Sequence, residues 1–230
     1  MGTRKDLASN SLTRTSVTKI NIKIMLTVCI VVFSSMLFYS CAPIKVPLSS
    51  SFDFEKLPGN RAAKRIVVLI DKETTEMSPT YKPNALADSF QVDIGKSIKS
   101  NVLQVANLTF TEVKFYNNID EVKSPFDNLL EVKLIEFNFV MGRTVFSKHK
   151  CFLKLDYHFY DSNRKPLFTV NSMSSGEGKA TSGEVGMQLG IGRARQSGFT
   201  IPMGRAADIA VKDSLNQFLI RLNEYLEQNS

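Results

Sequence analysis

Two histidines in 230 residues, His149 and His158, bound the acid–base and metal chemistry open to this chain. His149 stands two residues from Cys151, a spacing that puts both side chains on one face of a strand. A zinc site takes three or four converging ligands, so this pair is too small to be one. His158 stands two residues from Asp156 on the opposite face, and together they could activate a hydroxyl or a water as a hydrolase does. On an alternating strand they face solvent unless a loop folds over them. There is no GxSxG elbow, HExxH pair or P-loop. "GIGRAR" at 190–195 imitates a dinucleotide loop, but Arg195 stands where the third glycine belongs, and no helix is expected to open there. No cofactor, metal or enzymatic activity is assigned on these residues.

The residue with the clearest chemistry is Cys41, in "MLFYSCAP". A basic start carrying Arg4, Lys5, Arg14, Lys19 and Lys23 precedes an uncharged run of about 17 residues ending at Ser40-Cys41. Positive n-region, short apolar region and small residue before a cut form the plan of a secretory signal. The run is near the lower limit for a membrane-spanning helix, so an uncleaved signal anchor stays open beside cleavage. A thiolate can take a thioether-linked diacylglycerol, and two or three acyl chains anchor stably where a single chain does not. Met1-Gly2 brushes the myristoylation pattern, but Asp6 stands where Ser or Thr is needed.

The net charge of +7 is mostly the leader's: residues 1–40 hold +4 of it. Downstream there is no dense Lys/Arg block interleaved with aromatics, so nucleic acid is not an expected partner. With 1–40 removed and Cys41 modified, Cys151 is a lone thiol and reads as a small core hydrophobe. The Asn107-Leu108-Thr109 sequon matters only in a eukaryotic secretory protein.

Residues 42–64 mix Pro, Ser and charge without periodicity and read as a tether. Order is expected from "RIVVLID", residues 65–71, a buried strand. Leu86, Phe90, Ile94, Ile98 and Val102, four apart, predict one helix opened by Asn84. Residues 110–117, 128–142 (with a bulge near Leu134-Ile135), 151–160 and 167–174 predict four strands, with "DSNRKP" as a turn. Val211, Leu215, Phe218, Leu219, Leu222 and Leu226 predict a closing helix over 206–228. The fold class is therefore α+β: a mostly antiparallel sheet of about five strands with two helices packed on one face. The first two strands should be parallel neighbours joined through the first helix, and the rest a meander.

Ser40-Cys41 resembles the lipobox of bacterial lipoprotein signal peptides, although Phe38 and Tyr39 depart from its usual residues. The resemblance implies lipid attachment at Cys41, and Ala42 in place of Asp implies export to the outer membrane. With the strand–helix–meander–helix order, residues 36–228 resemble small envelope lipoproteins of the YajG type and, more distantly, ABC-transport auxiliary and lipopolysaccharide-assembly lipoproteins. That likeness implies a periplasm-facing, non-enzymatic domain that binds an envelope protein or lipid. The organisation expected is a signal peptide at 1–40, a lipidated tether at 41–64 and the domain at 65–230.

One segment, 174–205, is too long and Gly-rich for a routine connection in so small a domain. Val185, Met187, Leu189 and Ile191 alternate with Gly186, Gln188, Gly190 and Gly192, an apolar edge beside Arg193, Arg195 and Arg205. It is expected either to pack on its own domain or to dock on a partner or membrane, with the arginines meeting headgroups or an acidic surface.

Overall fold

The computed structural model describes residues 43–54, 57, 61–82, 89–122, 125–142, 144, 147–181 and 194–229, with backbone alone for 194–198. The first long strand is β2 (Ala62–Ile70), whose last five residues, Ile66 to Ile70, are all buried. A strand apolar on both faces needs cover on both, and parallel pairing supplies neighbours on either side. β5 (Phe110–Tyr116) and β6 (Asn128–Val140) both run parallel to it, with Ile66 opposite Val113 on one side and Asn128 on the other.

β7 (His149–Asp161) and β8 (Pro166–Gly178) complete a five-stranded sheet in the order β5-β2-β6-β7-β8. The parallel β2–β5 pair and the antiparallel β6-β7-β8 run agree with expectation, as does the bulge, which shifts the register between Leu134 and Glu136. The parallel pairing of β2 with β6, on the side away from β5, was not expected. The chain crosses from β5 to the far side of β2 through a 3₁₀ turn at Ile119–Glu121. This crossing covers the outer face: Val67, Leu69 and Leu129 are buried under Tyr116, Ile119, Val122 and Phe126.

The inner face carries the main core. Cys151, Leu153, Leu155, Tyr157 and Phe159 of β7 all point into it, as their alternation predicts. Two long helices cover it. α2 (Ile94–Thr109) buries Ile94, Ile98, Val102 and Val105, and α3 (Ala194–Gln228) buries Val211, Leu215, Phe218, Leu219 and Leu222. Phe218 stacks on Tyr157 with ring centroids 4.8 Å apart.

Both helix starts differ from expectation. α2 begins ten residues after Asn84, which with Leu86 lies outside the described residues. Phe90 is instead in β4 (Phe90–Gln91), part of a second sheet in which β4 lies between β1 (Ile44–Lys45) and β3 (Thr80–Tyr81). A side chain added at Gly95 would collide with the carbonyls of Thr74 and Thr75 in the short helix α1 (Lys72–Glu76), so the chain enters α2 pressed against its neighbour. The closing helix starts at Ala194, twelve residues before Ala206 and inside the segment read as a Gly-rich loop, despite Pro202. A helix therefore does open within "GIGRAR". β8 runs on to Gly178 and α3 begins at Ala194, so both ends of the segment read as a loop over 174–205 are regular structure, and its residues 182–193 lie outside the described residues. The glycines serve close approach: side chains at Gly176 and Gly178 would strike the carbonyls of Ala206 and Pro202.

The stretch read as a tether is also different over 43–54. Ile44 and Val46 donate backbone bonds to Ser89 and Gln91, and Val46 and Phe54 are buried. Ser49 donates from its backbone N and Oγ to the two carboxylate oxygens of Asp208 on α3, at 2.9 and 2.7 Å. Its carbonyl accepts from Ser97 and Asn101 on α2. Gln104 clasps Phe52 by both backbone groups, each at 2.9 Å. Pro and Ser residues thus form a strap between the helices, its polar backbone satisfied by their side chains.

Candidate functional site

Cys41, Val185, Met187, Leu189, Ile191 and Arg193 lie outside the described residues. Arg195 is in the first turn of α3, which is a correction of its place: it belongs to a helix and not to a loop edge. The described ends of the segment show where it attaches. It leaves β8 at Gly178, paired with His149, and returns at Ala194.

That end of the sheet is also where the strap enters. Ile44 pairs with Phe90, whose ring meets Phe199 of α3 at 5.8 Å. Phe199 in turn lies edge-on to His149, the first residue of β7, at 5.7 Å. The start of the strap at Ile44 and both stems of the Gly-rich segment therefore converge on one end of the domain, which sequence reasoning did not find.

His149 and Cys151 do share a face, and it is a buried one. His149 Nδ1 accepts from the Gly142 backbone N at 3.4 Å, and among the described residues no partner meets its buried Nε2. Burial, beside Phe139 and Phe199, holds the imidazole below its usual pKa, and burial in the core pushes the Cys151 thiol up to about 12. A thiol so protonated is neither a nucleophile nor a ready ligand. Among the described residues no group of three His, Cys, Asp or Glu could hold a metal ion.

His158 and Asp156 lie on the outer face, partly exposed. His158 Nδ1 faces Thr169 Oγ1 at 3.1 Å and not Asp156. The 179–193 segment starts from the opposite end of β7, so its stems stand far from this pair.

Two surface features were not legible in advance. A hollow of about 230 Å³ opens between the strap and the start of α2, lined by Lys45, Ser49, Ser50, Asp93, Lys96 and Ser100 among others. Asp93 there accepts from Ser78 and Lys96, which hold its carboxyl below the usual range. The second is a diagonal of exposed apolar residues on the outer sheet face: Val140, Phe152 and Met173, the last 74% exposed.

No family model and no curated protein matches the sequence. Solved structures with a partly similar fold include a Xanthomonas campestris protein assigned to the family-model DUF330 (7% identity, 80% of this chain and 99% of that chain, TM-score 0.44). Others are a minor lipoprotein of Acinetobacter baumannii (6%, 74% and 95%, TM-score 0.31) and a lipoprotein of Neisseria meningitidis (10%, 54% and 92%, TM-score 0.30).

Proposed function

We propose that this chain is a bacterial envelope lipoprotein: residues 1–40 are removed as a signal peptide, and Cys41 becomes an acylated N-terminus. The domain faces the periplasm from the outer membrane. It acts by binding an envelope protein partner, as a non-enzymatic accessory of assembly, transport or secretion. The observation that carries the reading is Cys41 itself, at the end of a basic-then-apolar leader and two residues before the folded unit begins at Pro43. The exposed stripe of Val140, Phe152 and Met173 supports a role through binding, and the alternation of Val185, Met187, Leu189 and Ile191 in the sequence, followed by Arg193 and by Arg195 at the start of α3, is read the same way.

Intact mass of the membrane-extracted protein tests the anchor. Loss of residues 1–40 with acyl chains added is the expected result, and Cys41→Ser should abolish both. Retention of residues 1–40 without acylation would replace this reading by a signal-anchored, single-pass protein exposing the same domain. Deleting 183–199, which removes the first turns of α3 as well, should uncouple the domain from its partner in pull-downs.

A further inference from the structure

The placement of the strap limits how the domain can stand on its membrane. Only Ala42 and Pro43 separate Cys41 from Ile44, which is hydrogen-bonded into the domain. Three residues of extended chain reach at most about 11 Å. A domain on so short a lead cannot tumble freely above the bilayer. It must present the end from which β1 emerges.

That end is basic. Lys45 and Lys82 are exposed there, beside β4 and β3, with Lys148, Lys150 and Lys179 at the matching ends of β7 and β8. The acidic groups among them are engaged by lysines: Glu177 by Lys148 at 2.7 Å and Lys150 at 3.0 Å, Asp93 by Lys96 at 3.3 Å. The far end, with the Asp161–Lys165 turn, lies about 40 Å away along the 13 residues of β7.

We propose that this end, bearing Lys45, Lys82 and Lys148, rests on the anionic headgroup layer of the same bilayer that holds Cys41. The inference rests on the lipoprotein reading and adds an orientation to it. Short reach keeps the lysines within a Debye length or so of the surface, where phosphate-bearing headgroups attract them. Orientation would point the outer sheet face sideways, parallel to the membrane normal, and the Asp161–Lys165 turn into the periplasm.

The test uses the full chain, matured in a bacterial host and reconstituted in vesicles of phosphatidylcholine with phosphatidylglycerol and a headgroup-spin-labelled lipid. A fluorophore is placed at Thr144→Cys or, at the far end, at Asn163→Cys; buried Cys151 resists labelling. Quenching is expected at 144 and not at 163. Lys45→Glu with Lys82→Glu should reduce quenching at 144 only when phosphatidylglycerol is present. A flexible Gly-Ser insertion after Ala42, which leaves the domain untouched, should reduce it in either lipid. Equal quenching of both labels in protein whose mass shows acylation overturns the orientation and leaves the anchor standing. A mass that still includes residues 1–40 without acyl chains overturns the anchor, and the orientation with it.

Discussion

The Tyr157 hydroxyl lies 2.9 Å from that of Ser214, joining β7 to α3 inside the core. Ser214 also meets Ser172 of β8, whose hydroxyl donates to the Leu155 carbonyl at 3.1 Å. With its proton spent on Leu155, Ser172 accepts from Ser214, which accepts from Tyr157. Three elements are thus tied by one directed chain in the buried interior, where burial drives the tyrosine pKa upward.

Removing the middle of this chain should cost more than removing its end. Ser214→Ala leaves the Tyr157 donor buried without a partner and is expected to destabilise by about 1–3 kcal/mol. Tyr157→Phe leaves only an acceptor short and is expected to cost about 0.5–1.5 kcal/mol. Urea unfolding of both single variants and the double variant measures this, and near-additive values would show that the hydroxyls are not coupled.

The contact between β8 and α3 should tolerate no side chain. Gly176→Ala places a methyl against the Ala206 carbonyl, backbone that cannot rotate away. The expected loss is about 3 kcal/mol, at the upper end for overpacking, and Gly178→Ala should behave alike against Pro202. Denaturant midpoints of the two variants provide the check.

His149 should make the fold sensitive to mild acid. Its pKa is depressed in the folded state, so the unfolded chain binds the proton first as pH falls through the ordinary histidine range near 6.5. Its contribution to stability is therefore complete above that range and declines as pH drops toward the depressed value. His149→Phe, which suits the aromatic surroundings, should flatten the stability profile between pH 7 and pH 5. An unchanged slope would place the acid sensitivity elsewhere.

The strap should depend on Asp208. Asp208→Ala strands the Ser49 backbone N–H and is expected to cost about 1–3 kcal/mol and to speed amide exchange over 44–54. Asp208→Asn keeps an acceptor for that N–H and should lose less. Burial holds the Asp208 carboxyl above its usual pKa, so its ionisation opposes folding as pH rises through the raised value. In the Asn variant this pH dependence should vanish.

Much of the sheet could be read directly, because the alternation of Cys151, Leu153, Leu155, Tyr157 and Phe159 has a single interpretation on a half-covered strand. The bulge at Leu134 and the parallel β2–β5 pair were equally plain. What misled was composition. Gly176, Gly178, Pro202 and Gly204 resemble loop punctuation, yet they sit where α3 lies against β8 and the strap, and only small residues fit. Phe90 kept the four-residue spacing of α2 and still joined a strand, since nearby β3 and the distant β1 offered it backbone partners.

The amino-acid sequence by itself determined the α+β class, the inward face of β7 and the buried stripe of the closing helix, because periodicity reports which side of an element meets water. It also carried the one residue, Cys41, on which the proposed anchor depends. Only tertiary structure decided that β6 crosses to the far side of β2, that α3 begins at Ala194, and that 43–54 is a docked strap and not a slack tether. Those outcomes depend on contacts such as Ser49 with Asp208, 159 residues apart, and no local pattern encodes a partner at that distance.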